Sequence, residues 1–113
     1  AVIGGSGFVG SHICQQLAAR GYRVRVPTRD RERAKRLILL PTVDVVRADV
    51  HDPAALAAVI SGCDAVINLV GVLHDARGPR GFAAAHVELA RKLVAACRDS
   101  GVRRLLQMSA VAA

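Results

Sequence analysis

Seven residues near the start of the chain, Gly4-Gly5-Ser6-Gly7-Phe8-Val9-Gly10, restrict the fold more than any other stretch. Glycines at 4, 7 and 10 follow a short apolar run over 1–3 and open a segment of helical spacing over 8–20. Inside a β-α-β unit of ~30 residues, that arrangement has a physical use. Gly4 allows a tight turn. Gly7 lets the backbone approach an anion with no Cβ between them, and Gly10 lets the helix pack closely. The helix start then turns unpaired N–H groups and the positive end of its dipole toward a pyrophosphate.

The rest of the chain repeats one rhythm: a short β-branched run, a turn, then a helical pattern. The first helix, with Val9, Ile13 and Leu17 on its stripe, ends at Gly21. Strands are expected over 22–26, 43–46, 65–70 and 105–108. A second helix is expected over 30–40, closed by Pro41. Asp52-Pro53 opens a third helix, with Asp as N-cap and Pro at the first helical position, and Gly62 ends it. A polar loop over 74–81 leads into a long helix over 82–100, with Val87, Ala90, Val94 and Cys97 on one stripe. Alternation of this kind gives parallel strands joined by right-handed crossovers. The expected fold is α/β: a doubly wound, Rossmann-like parallel sheet with strand order 3-2-1-4-5. The whole of 1–113 reads as one such domain.

Composition agrees. The chain has 113 residues, 52% of them hydrophobic, and one Tyr and two Phe are its only aromatic residues. A core of Val, Leu, Ile and Ala suits a parallel sheet under Ala-rich helices. No apolar run approaches the ~20 residues of a membrane span, and no signal peptide is expected ahead of the first strand. Three well-separated cysteines, Cys14, Cys63 and Cys97, exclude a disulfide framework and fit a reducing compartment. Cys14 and Cys97 fall on helix stripes and read as packing residues. The net charge is +7, and half of the sixteen Lys and Arg residues lie between Arg20 and Arg36. That cluster lacks aromatic platforms, so a nucleic-acid partner is not expected. A phosphorylated small molecule suits it better.

The carboxyl ends of the strands supply the other candidate residues. Arg29 follows the second strand, where an Arg pairs with a 2′-phosphate and selects NADP, and an acid would select NAD. Asp30 takes the ribose instead if that strand runs longer, and the run of charge also suits a solvated helix start. Asp49, after strand three, is placed to accept from an adenine amino group or to serve as a turn residue. Asn68-Leu69-Val70-Gly71 ends strand four, with Gly71 keeping the floor open on the nicotinamide side. Ser109 ends strand five, where a hydroxyl can bond a substrate oxygen or be simply a serine at a strand end. The four histidines share no ligand spacing, so no metal site is expected. No catalytic residue follows from spacing.

These motifs, together with Gly-Val-Arg-Arg-Leu-Leu-Gln-Met-Ser-Ala over 101–110, resemble the extended and atypical short-chain dehydrogenase/reductase superfamily, which is NAD(P)-dependent epimerase/dehydratase-like. Within it, Asp-Val-His-Asp-Pro-Ala-Ala-Leu (49–56) and Asn-Leu-Val-Gly-Val-Leu (68–73) are most similar to the branch holding the nucleotide-binding accessory subunit of respiratory complex I and its bacterial relatives. The resemblance implies NADP or NAD across the strand ends. It puts Gly4, Gly7, Phe8, Val9 and Gly10 around the pyrophosphate and Arg29 at the adenosine phosphate. Asp49 and Val50 fall at adenine, Leu69, Val70 and Gly71 near the ribose and nicotinamide, and Ser109 at the substrate-binding serine. It further implies a cytoplasmic protein, peripheral to a respiratory membrane in the closer branch, with a respiratory complex or a homo-oligomer as partner.

The superfamily's catalytic Tyr-x-x-x-Lys lies beyond strand five. The chain's one tyrosine, Tyr22, and its lysines, Lys35 and Lys92, do not form it, and His86 stands where many relatives have Asn. The chain is therefore expected to be the N-terminal part of a larger domain whose substrate region lies beyond Ala113. Whether it is a non-catalytic binding module, or part of an oxidoreductase or sugar-nucleotide epimerase/dehydratase, stays open at the level of sequence.

Overall fold

Strand and helix alternate along the chain in the computed structural model, which describes residues 1–70 and 79–108. The order is β1 (Val2–Ile3), α1 (Phe8–Ala19), β2 (Val24–Thr28), a 3₁₀ turn (Arg31–Ala34) running into α2 (Lys35–Ile38), β3 (Val43–Arg47), α3 (Pro53–Ile60), β4 (Ala65–Asn68), α4 (Pro79–Ser100) and β5 (Arg104–Gln107). Every strand pairing is parallel. One sheet has the order β1-β4-β5, and β2 pairs with β3 in a second ladder. The apolar side chains form two clusters. Ile3, Leu56, Ile60, Val66, Leu89 and Leu93 make one, and Val2, Cys14, Val24, Val26, Leu37 and Val43 make the other.

The two ladders lie in the expected sequence 3-2 and 1-4-5, with Val2 of β1 packed beside Val24 and Val26 of β2. Packing rather than a hydrogen-bonded ladder joins β1 to β2. The N–H of Val24 donates to Thr42 O and Thr28 O accepts from Ala48 N, so even-numbered residues of β2 turn their peptide groups toward β3. Odd-numbered residues face β1, and Pro27 has no N–H to offer there.

Strand β4 ends at Asn68 rather than residue 70, and four other elements differ further from the sequence expectation. Strand β2 begins at Val24 rather than residue 22, because Tyr22 N donates to Leu17 O and so belongs to the closure of α1. The helix expected over 30–40 is a 3₁₀ turn and one short α-turn, in which only Ala34 and Leu37 are buried, too narrow an apolar face to hold a longer helix. Helix α1 buries Gly10 and Cys14, with Val9, Ile13 and Leu17 half-buried at the sides.

Helix α4 starts at Pro79, where the fixed φ of proline suits a first turn. Of the loop expected over 74–81, residues 74–78 lie outside the described residues. The inward stripe of α4 is Leu89, Leu93, Ala96 and Cys97, whereas Val87 and Val94 are each 48% exposed. The helix carries two apolar stripes, and the larger Leu pair takes the core.

The thiol of Cys14 is wholly buried between α1 and β2, and burial pushes it from the ordinary value of 9.0 up to about 11. Cys97 is pushed up for the same reason. Between pH 9 and 11 the unfolded chain has released the Cys14 proton while the folded chain keeps it. Stability is therefore expected to be full below pH 9 and to fall as pH rises toward 11. Urea denaturation across that range, beside a Cys14→Ala variant whose curve lacks this part of the slope, checks it.

Candidate functional site

The parallel strands all present their carboxyl ends at one edge, so the segments that follow β1, β2, β3 and β4 meet there. The glycine turn follows β1. Gly4 has φ of +85°, a conformation that side-chain-bearing residues rarely adopt. A Cβ on Gly4 would lie 3.3 Å from Leu69 C and Val70 N, so the turn sits directly on the end of β4. A Cβ on Gly10 would strike the Gly4 carbonyl oxygen and Gly5 Cα. The expected close packing at Gly10 is thus between the first turn of α1 and the glycine turn itself. Gly5, not singled out from the sequence, is also closely packed, against side chains: a Cβ there would lie 3.0 Å from Val26 Cγ1 and 3.2 Å from Cys14 Sγ.

Gly7 is different. Its φ of −78° and ψ of −177° are open to any residue. The nearest atom to a Cβ on it, Gly4 O, would be 3.5 Å away, an ordinary contact. Neither backbone conformation nor internal packing requires glycine at this exposed position.

Gly7 is also the N-cap of α1, and it offers no side-chain cap; the first turn holds no acidic residue. Two other helical starts among the described residues are covered by a carboxylate. The Asp52 carboxylate accepts from Ala54 N at 3.2 Å at the head of α3, and the Asp30 carboxylate accepts from Glu32 N at 3.0 Å at the 3₁₀ turn. The start of α1 has no such side-chain cap for its N–H donors. Phe8, 80% exposed, stands beside it with its ring edge-on to His12, centroids 4.9 Å apart. Val9 is half-buried.

At the tip of β2, Arg29 is exposed and directly follows buried Thr28. The Thr28 hydroxyl accepts from Asp30 N at 3.1 Å and donates to Asp30 O at 3.0 Å, which fixes the bend. The strand does run longer than expected, but the Asp30 carboxylate is occupied as a cap. Pairing of Thr28 with Arg47, and the bond from Ala48 N to Thr28 O, brings Asp49 to the same side of the edge. One carboxylate oxygen of Asp49 accepts from His51 N at 2.9 Å, and Val50 and Val70 pack against the same core cluster. Leu69 and Val70 lie against the glycine turn. Gly71 and Ser109 lie outside the described residues.

The Arg cluster does not act as one patch. The Arg25 guanidinium donates to Val59 O at 2.6 Å and Ser61 O at 2.9 Å, closing the end of α3. Lys35 pairs with Glu32 at 2.9 Å, and Arg23 with Asp44 at 3.7 Å.

Sequence reasoning also passed over Asn68 as a residue with a task of its own. It is buried, its amide donates to Gln107 Oε1 at 2.8 Å across to β5, and its carbonyl oxygen accepts from Val70 N at 3.1 Å. It thereby shapes the backbone beside the glycine turn. The available signal was an Asn inside an apolar strand, because a polar side chain buried there must find partners.

This fold and this edge define a Rossmann-type dinucleotide-binding protein with NAD(P) as cofactor. Over residues 1–113 the chain matches the NAD dependent epimerase/dehydratase family, and it belongs to that family. It is 34% identical over 118 residues to cinnamoyl-CoA reductase 1 of Oryza sativa subsp. japonica, covering 99% of this chain and 34% of that protein. It is 32% identical over 117 residues to the mitochondrial NADH dehydrogenase [ubiquinone] 1 alpha subcomplex subunit 9 of Arabidopsis thaliana, covering 99% of this chain and 29% of that one. A solved dTDP-glucose 4,6-dehydratase from Streptomyces venezuelae with NAD bound superposes with a TM-score of 0.75 at 30% identity, over 92% of this chain and 37% of that chain. The chain spans about a third of the length of the curated relatives it matches.

The glycines separate by substitution. Gly10→Ala should destabilise the fold by about 2–3 kcal/mol, because the methyl group meets backbone that cannot yield. Gly7→Ala should stay within about 1 kcal/mol of the parent. Urea midpoints of the two variants check both.

Proposed function

We propose that the chain binds NADP as the Rossmann part of a short-chain dehydrogenase/reductase-like protein, and that its own residues bind and orient the coenzyme without completing a reaction. The observation that carries this is Gly7: an exposed glycine required by neither conformation nor packing, at a helix start that has no side-chain cap. A pyrophosphate on the N–H groups of Phe8, Val9 and Gly10 explains both features. Gly4 and Gly10 hold that turn in shape. Asp49 accepts from the adenine amino group with the carboxylate oxygen that His51 N does not use, and Val50 forms the apolar wall beside it. Leu69, Val70 and Gly71 line the ribose and nicotinamide side, and Ser109 meets the substrate. When bound, the nicotinamide supplies a carbon that accepts or gives a hydride.

Preference for NADP rests on the tip of β2. One carboxylate oxygen of Asp30, the acid that would take the 2′-hydroxyl of NAD, accepts from Glu32 N and caps the 3₁₀ turn, and exposed Arg29 stands beside it. An Arg pairs a 2′-phosphate with charge-assisted hydrogen bonds.

The binding-only role is supported by the places of Tyr22, Lys35 and Lys92. Tyr22 closes α1 ahead of β2, Lys35 pairs with Glu32, and Lys92 is bonded to His51 O. The relative in a mitochondrial NADH dehydrogenase supports a respiratory complex as partner, and with it a place at the edge of a respiratory membrane. A second reading, a reductase or epimerase/dehydratase, is favoured by the rice reductase and the Streptomyces dehydratase. A Tyr and a Lys four residues apart on a helix after β5 would decide for it.

Calorimetry on the full chain tests the site. Gly7→Val should fold with a thermal midpoint near the parent's and bind NADP at least ~100-fold more weakly, about 2.7 kcal/mol. Undiminished uptake by the folded variant overturns the proposal. Arg29→Ala should lower NADP affinity about tenfold and leave NAD affinity unchanged. Equal affinity of the parent for the two coenzymes removes the role of Arg29.

A further inference from the structure

Lys92, like Arg25, spends its charge on a backbone carbonyl of a distant segment. It lies on α4, partly buried, and its Nζ donates to the His51 carbonyl oxygen at 2.7 Å, across 41 positions of sequence. His51 belongs to the turn between β3 and α3. Two local bonds shape that turn: Asp49 Oδ1 accepts from His51 N, and Asp49 O accepts from Asp52 N at 3.1 Å. Both close within the turn and tie it to nothing else. The bond from Lys92 reaches it from outside. Leu89, Leu93 and Ala96, on the same helix, are buried in the cluster that holds Ile3 and Val66, so the ammonium is presented from a fixed base. Val50 packs against that same cluster. The turn is thus held by its own bonds in shape and by α4 in position.

We propose that Lys92 is a positioning residue for the adenine side of the site: its ammonium holds the Asp49–His51 turn where Asp49 meets the adenine amino group. This role rests on the dinucleotide site proposed above. The ammonium is spent on the turn's carbonyl, and its effect on the coenzyme passes through Asp49. A charged donor on a partly buried carbonyl is among the stronger hydrogen bonds, and its removal leaves that carbonyl without its partner. The turn then keeps its local shape and loses its fixed place.

The test compares NADP with its hypoxanthine analogue, which lacks the adenine amino group, by calorimetry on the full chain. The parent should prefer NADP about tenfold, the worth of one well-placed hydrogen bond. Lys92→Met keeps the apolar stem and loses the donor; its preference should fall to within about twofold, while Lys92→Arg keeps most of the parent's ratio. A merely structural role would lower the thermal midpoint and both affinities together, leaving the ratio untouched. Retention of the parent's ratio by Lys92→Met therefore overturns the proposal, even if both affinities fall. A parent that binds NADP with no preference over the analogue removes the Asp49 contact and the Lys92 role with it. A parent that binds neither overturns the dinucleotide site itself.

Discussion

The architecture depends on the approach of bare backbone to backbone at the end of β1. Gly4, at φ of +85° against the end of β4, takes a conformation that side-chain-bearing residues rarely adopt, and Gly10 lies so close to the glycine turn that no Cβ fits there. That contact sets where α1 begins. It thereby places Cys14 between the helix and Val26, and it aims the first amides of α1 along the edge where the strands end. Gly5, pressed against Val26 and Cys14, extends the same constraint to β2, which matters because no ladder ties β1 to β2. Packing of glycine backbone on Val side chains does the work that hydrogen bonds do elsewhere in the sheet.

Around that contact, the polar groups divide into those spent on the chain's own backbone and those left at the edge. Arg25 closes α3, Asp52 opens it, Asp30 opens the 3₁₀ turn, Asn68 holds Val70, and Lys92 holds His51. Each satisfies a peptide group that a helix end or turn would otherwise leave unpaired. The uncapped start of α1 stands out against this background. Its first amides are backbone donors with no side-chain cap. The match to the NAD dependent epimerase/dehydratase family extends over residues 1–113.

Much of this was legible in the residues. The alternation of elements, the positions of the glycine stops at 21, 62 and 101, the Asp52-Pro53 helix start and the burial of Cys14 and Cys97 follow from local chemistry, and the structure has them. What misled was degeneracy. Helix α4 carries two apolar stripes of similar spacing, and periodicity does not rank Leu89 and Leu93 above Val87 and Val94. Residues 30–40 have helical composition but bury only two side chains, so the segment tightens into a 3₁₀ turn. Basic residues close together in sequence point to different tasks once strands and helices separate them.

Residue order alone settles the class of fold and the place of the glycine turn, because both rest on interactions among near neighbours: turn dihedrals, caps and alternating apolar runs. Which glycine is required by packing, which is left open, and which lysine reaches the turn between β3 and α3 depend on atoms brought together from distant segments. Such contacts are set by how the layers close on one another, and no stretch of sequence carries them in itself.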